Sequence, residues 1–293
     1  MNWIITLLAV TFVFAQDSPP LKKVHVRGTD LAYVDQGRGE PVVLIHGWLN
    51  DYRTWSAQWP ELSKHFRVIA YSRRYNYPNT PSGGGSDYSK ATDAADLVAL
   101  IQTLKLGPVH LVAHSAGSYV ALLVTREHPE LVRTLVLAEG GAPGLLDNMA
   151  ETKSQPRNLV KDAGAAFQKG DVEGAARVVV EGVIGPGTYQ NMPQNRRDRL
   201  LQNLRLELKA QLAAPRETAP RLSCDDVHRI NVPTLLVEGE LTKQNNRLMV
   251  RELKRCLPNS EKEILPQATH ALHLDNPSAF NAMILRFLTR HRR

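Results

Sequence analysis

The stretch LVAHSAGSYVALL, residues 111–123, joins an apolar, strand-like run to an apolar, helix-like one through a single serine, Ser115, set among small residues. A sharp strand-to-helix turn needs small neighbours, because the backbone at its tip is strained and adjacent chain passes close; Ala113, Ala116 and Gly117 supply them. On these residues alone Ser115 can be a nucleophile or a helix N-cap, a position that serine favours. The choice depends on whether the rest of the chain supplies a base, an orienting acid and an oxyanion site.

Outward from this turn, short apolar runs alternate with longer periodic segments. KVHVRG (23–28) and DLAYVDQG (30–37) alternate apolar and polar residues like an antiparallel edge. PVVLIHG (41–47), RVIAYS (67–72), PVHLVAHS (108–115), TLVLAEGG (134–141) and PTLLVEGE (233–240) are nearly continuous in apolar character, as strands buried on both faces are, and EKEILPQ (261–267) closes the series. Helical periodicity falls between them at Tyr52–His65, Thr92–Lys105, Gly117–Glu127, Asn246–Leu257 and Ser278–His291. Strand and helix in alternation predict an α/β fold, a mostly parallel sheet flanked by helices. Residues 143–222 break the rhythm with three helical patterns and no convincing strand, so they read as an inserted helical cap between core segments 21–142 and 223–293.

Two further segments answer the question posed by Ser115. His46 and Gly47 end a buried strand in VVLIHGWLNDYRTW, and ILPQATHALHLDNPSAF carries His270 in a loop before the last helix. With the turn around Ser115, these features resemble the alpha/beta-hydrolase fold family, whose nucleophile elbow is G-x-S-x-G; Ala113 replaces the first glycine. The resemblance implies that Ser115 is the nucleophile and His270 the base. It also implies that backbone N–H groups of Trp48 and Ala116 form the oxyanion hole. A hydroxyl needs a neutral imidazole within reach before it attacks a carbonyl. His46 reads as a loop-fixing residue and His273 as packing around the base.

The acid departs from the family pattern. Members usually place an aspartate three residues past the glycine of PTLLVEG, where this chain has Thr242. In some members the acid instead ends the strand after the elbow helix, and here that residue is Glu139, a carboxylate closing an apolar strand before two glycines. A buried charge there is costly unless paired. Glu139 is therefore the expected acid, with Glu240 the alternative. In YSRRYNYPNTPSGGGS (71–86), Tyr75 and Tyr77 stand where the family often has glycines, and with Trp48 they are expected to wall a substrate site. Arg73 and Arg74 are expected to pin that loop to the body.

Composition bounds the rest. The formal charge of +7 is spread among acids with no basic block, so a nucleic-acid partner is not expected. The uncharged apolar run Trp3–Ala15 is shorter than the roughly 20 residues needed to span a bilayer. It predicts a secretory signal, residues 1–15, cleaved after Ala15, hence a secreted or periplasmic protein with no stable membrane anchor. Cys224 and Cys256 lack metal-site spacing; two buried thiols are the plain expectation, and export leaves a disulfide open. The expected activity is a cofactor-free and metal-free serine hydrolase acting on a small to medium carboxylic ester or lactone. The alternatives are a cofactor-free dioxygenase of the same fold using a His–acid dyad, and a non-catalytic ligand-binding protein.

Overall fold

Eight strands form where the eight runs predict them: β1 (Lys22–Val26), β2 (Thr29–Gln36), β3 (Pro41–Ile45), β4 (Arg67–Tyr71), β5 (Val109–His114), β6 (Val132–Ala138), β7 (Thr234–Gly239) and β8 (Ser260–Leu265). The structure, a computed structural model, describes residues 19–81, 83–146, 159–214 and 221–293. The apolar run 3–15 read as an export signal lies outside them. The strands make one sheet in the order β1-β2-β4-β3-β5-β6-β7-β8. β1 pairs antiparallel with β2 and β2 with β4; all other pairs are parallel.

The helices are α1 (Trp59–Leu62), α2 (Lys90–Thr103), α3 (Ala116–Glu127), α4 (Leu159–Gln168), α5 (Val172–Val183), α6 (Gln194–Asn203), α7 (Lys209–Ala213), α8 (Cys224–His228), α9 (Gln244–Cys256), α10 (Leu272–Asp275) and α11 (Pro277–Arg290). Successive side chains of each central strand point to opposite faces. Val43, Ile45, Leu111, Ala113 and Leu135 pack with residues of α2, α3 and α9. Their neighbours Val42, Leu44, Val112 and Val136 pack with residues of α1 and α11. Burial on both faces is why these strands carry no alternation in sequence.

Two expectations differ from what forms. The periodic segment Tyr52–His65 is not one helix but a 3₁₀ turn, Tyr52–Trp55, followed by α1. Asp51 caps the turn by accepting from Arg53 N at 2.8 Å, and Pro60, which has no N–H to give, can only sit at the start of a new helix. Cys224 and Cys256 are not free thiols but a disulfide joining α8 to α9 across a separation of 32 residues. Closing a loop of that length restricts the unfolded chain by about 3–4 kcal/mol.

In the inserted segment, α4 and α5 pack together and share an apolar cluster with a π-helical turn, Leu204–Leu208, and with Leu49 of the loop after β3. The insertion thus buries its apolar faces on itself and on that loop, above the carboxyl ends of the parallel strands. Among the described residues no helix is long and apolar enough to cross a membrane.

Candidate active site

Ser115 lies between β5 and α3 with φ 50° and ψ −121°, a left-handed conformation that non-glycine residues rarely adopt. The surroundings enforce it. A Cβ on Gly117 would lie 2.6 Å from the carbonyl oxygens of Ile45 and His46, so only glycine lets α3 start this close to β3. The Ser115 hydroxyl caps no helix N–H; its Oγ lies 3.0 Å from His270 Nε2.

His270 Nδ1 faces Glu139 Oε2 at 3.2 Å, and the Glu139 side chain is fully buried. Both carboxylate oxygens have further donors: Gly239 N–H gives to Oε1 at 2.7 Å and Thr242 Oγ1 gives to Oε2 at 2.7 Å. Asn246 Nδ2 donates in turn to Thr242 Oγ1 at 3.0 Å and also lies 3.1 Å from His270 Nδ1, beside the Glu139 oxygen. The carboxylate reaches this position because Glu139 itself has φ 51° after β6 and because Gly140 follows; a Cβ there would overlap Ser118. Gly239 performs the same service on the neighbouring strand, where a Cβ would sit 2.5 Å from the carbonyl of Ala268 in the histidine loop. Position 242, empty of charge, therefore supports Glu139. Glu240 is exposed and accepts from Gln267 N at 2.8 Å, and it makes no hydrogen bond to His270.

Three other histidines surround this arrangement. His114 Nε2 donates to the carbonyl of His270 at 2.8 Å and so fixes the backbone of the loop. His273 Nε2 contacts Thr54 Oγ1 at 2.8 Å, and its ring lies 4.6 Å from those of His114 and Trp55. His46 Nδ1 donates to Gly47 O at 2.8 Å while its Nε2 accepts from Arg73 N at 2.9 Å, which fixes one neutral tautomer. Burial, aided by the Arg73 charge, lowers His46 to about 4. Burial and the nearby His270 lower His114 to about 3. Burial and His114 push His273 well below its ordinary value of 6.5.

These shifts fix the sign of a pH effect. The unfolded chain takes up protons on each ring near 6.5, whereas the folded protein refuses them down to about 4 at His46 and about 3 at His114. Stability is therefore lost as pH falls from about 6.5 towards 4, on the order of 1 kcal/mol per pH unit for each of His46 and His114, with His273 acting in the same direction. Urea unfolding midpoints measured across this range should fall steeply; a flat profile would contradict neutral burial of the three histidines.

The loop after β3 carries Trp48. Gly47 O accepts from Arg73 Nη2 at 3.1 Å, and Leu49 N donates to Glu207 Oε2 at 2.6 Å, so the peptide groups on both sides of Trp48 are held. Glu207 comes from the π-helical turn of the insertion and is wholly buried, bonded also to Arg73 Nη2 at 2.8 Å and Asn76 Nδ2 at 2.7 Å. Arg73 completes the cluster with Asp93 at 2.6 Å. Arg73 thus pins the loop as expected, and Arg74 does so through Asp96 at 2.7 Å. Among the described residues neither Trp48 N–H nor Ala116 N–H donates within the chain.

Two cavities meet at Ser115 and His270. One, beneath the insertion, is walled by Trp48, Val179, Val183, Ile184, Met192 and Leu200. The other runs past Ala116, Tyr119, Asn246 and Met249. Tyr75 and Tyr77 line neither, which corrects the expectation of an aromatic wall beyond Trp48. The Tyr75 hydroxyl donates to Asp87 and accepts from Gly85 N at 3.2 Å, so it is consumed inside its own loop. Tyr77 lies under the Arg53 guanidinium, 4.0 Å from its ring centre, and its N–H donates to Asn203 Oδ1 at 2.9 Å. The sequence reading missed His114, Thr242 as a partner of Glu139, and Glu207. Glu207 alone left a trace, as a lone acid in the apolar run LRLEL (204–208).

Comparison with known proteins agrees with this architecture. A non-heme haloperoxidase of Rhodococcus erythropolis is 29% identical over 270 residues, spanning 89% of this chain and 96% of that protein. An esterase from Thermogutta terrifontis superposes with a TM-score of 0.76 at 24% identity, covering 93% of this chain and all of that one. The enol-lactonase of Burkholderia xenovorans LB400 gives a TM-score of 0.77 at 20% identity over 92% of this chain and all of its own. At such identities the two structures speak for the fold alone. Residues 40–277 match the family described as alpha/beta hydrolase fold, and the chain belongs to that family.

Proposed function

We propose that the protein is a serine hydrolase that cleaves a small to medium carboxylic ester or a lactone through an acyl-enzyme. The observation that carries this reading is the unbroken relay from Ser115 Oγ to His270 Nε2 at 3.0 Å and from His270 Nδ1 to Glu139 Oε2 at 3.2 Å. Ser115 attacks the acyl carbon as His270 takes its proton; Glu139 holds the imidazole with its proton on Nδ1 and stabilises the imidazolium. The backbone N–H groups of Trp48 and Ala116 receive the oxyanion, one from each cavity, so that the acyl and leaving groups run in opposite directions from Ser115. His270 then returns its proton to the departing alkoxide, and water repeats the sequence on the acyl-serine. A dioxygenase dyad or a binding protein has no need of a serine hydroxyl against the histidine.

The experiment is rapid quenching with p-nitrophenyl acetate. A burst of p-nitrophenol equal to the enzyme, with an acetyl group found on Ser115 by mass spectrometry, is the expected result. Turnover without an adduct on Ser115 would overturn the proposed covalent route.

A further inference from the structure

The cavity beneath the insertion is walled on the insertion side by apolar side chains, and there α6 also contributes Arg196 and Arg199, three residues apart and therefore on one helix face. Among the described residues neither arginine has a carboxylate partner at ion-pair distance; their guanidinium groups make one long hydrogen bond, 3.5 Å from Arg199 Nη1 to Arg53 O. This is not for want of acids nearby. Asp51 lines the same cavity, but the Arg53 side chain takes its two oxygens at 2.9 and 2.7 Å, and Arg53 N and Asn203 Nδ2 add bonds at 2.8 and 2.6 Å. Asp275, whose charge acts on Arg196, is exposed, and its Oδ2 accepts from Thr269 N at 2.9 Å and Thr269 Oγ1 at 2.5 Å. The histidines lining the cavity, His114, His270 and His273, can carry no negative charge and so offer the arginines no counter-ion. Elsewhere the two buried arginines each face two carboxylates: Arg73 has Asp93 and Glu207, and Arg74 has Asp96 and Asp87. Arg196 stands apart from that practice, for burial draws it below its ordinary value with only Asp275 opposing.

We propose that Arg196 and Arg199 bind a carboxylate on the substrate, so that the cleaved ester or lactone is an anion whose charged end lies against α6 while its acyl centre lies at Ser115. This rests on the reading of Ser115 as the nucleophile. A guanidinium offers a planar fork that a carboxylate matches with two hydrogen bonds. In an apolar, partly dehydrated wall such a pair is stronger than at an exposed surface. The surrounding Val179, Val183, Ile184 and Met192 suit an aliphatic chain between the two ends.

The test uses two matched pairs, so that the charge is placed on either side of the scissile bond: monoethyl glutarate against ethyl glutaramate, and 4-acetoxybutanoate against 4-acetoxybutanamide. In at least one pair the carboxylate should have a kcat/KM at least about tenfold above its amide, and that ratio should fall at least about tenfold in Arg196→Ala, with partial recovery in Arg196→Lys. Calorimetric titration with glutarate should show the same weakening in Arg196→Ala. Ratios near one in both pairs, with ester turnover intact, would overturn the carboxylate site and leave the hydrolase reading standing. No turnover of any of the four, with glutarate bound by the parent protein and lost in Arg196→Ala, would support the carboxylate site and overturn the hydrolase reading.

Discussion

Ser115→Ala should lower kcat for ester hydrolysis by at least about 10⁴-fold, a loss of roughly 5 kcal/mol of transition-state stabilisation. The effect is large because the hydroxyl forms the bond that defines the covalent route, and the oxyanion donors and the cavity alone retain only part of the rate. The variant should fold normally. The Oγ caps no helix, its hydrogen-bond partner is His270, and alanine fits the space that serine leaves. The backbone at φ 50° is equally strained for both residues, so stability measured by urea unfolding should change little. Undiminished turnover in Ser115→Ala would remove the serine from the chemistry and leave a His270–Glu139 dyad as the working pair.

Glu139→Gln should cost at least about a hundredfold in kcat with folding intact, and the hydrogen bonds explain why. Gly239 N–H lies 2.7 Å from Oε1 and can only donate, so a glutamine must turn its carbonyl oxygen to Gly239 and its NH₂ towards His270. An NH₂ facing Nδ1 favours the tautomer with the proton on Nε2, and such an imidazole cannot accept the proton of Ser115. Glu240→Gln should cost less than about tenfold, because that carboxylate is engaged with Gln267 N on the exposed side. Thr242→Asp in the Glu139→Gln background should recover part of the activity. The Thr242 hydroxyl is 2.7 Å from the same Oε2 that faces His270, so a carboxylate there is close to the ring. Steady-state kinetics of the four proteins decide the matter: a silent Glu139→Gln beside a crippled Glu240→Gln would refute the assignment of the acid.

The sheet is legible in the sequence because its central strands are short apolar runs bounded by turn residues and β1 alternates; β2, expected to alternate, instead buries Leu31 to Val34 in succession. The elbow is legible because close passage of chain demands small residues, and Gly117 has carbonyls of β3 against it. The burial of Glu139 against His270 is suggested by a different route, the carboxylate that ends an apolar strand before two glycines together with the family's alternative acid position. Features that depend on long-range partners are not. Tyr75 and Tyr77 stand at positions that suggested a substrate wall, but Asp87, Arg53 and Asn203 hold them in the loop, and no local pattern announces those partners. The break inside 52–65 follows from Pro60, a local signal outweighed by the apolar period around it. The disulfide depends on α8 and α9 lying side by side, which two cysteines 32 residues apart do not reveal.

The central claim is that Ser115 is an activated nucleophile, and a fluorophosphonate probe tests it without knowledge of the substrate. Such a probe phosphonylates a serine whose proton a neighbouring histidine removes, and it leaves ordinary helix-capping serines alone. The native protein should be labelled once, with the adduct on Ser115 by peptide mass spectrometry, and labelling should vanish in Ser115→Ala and slow markedly in Glu139→Gln. A folded native protein that takes no label, or one labelled equally well after Ser115→Ala, would contradict the account.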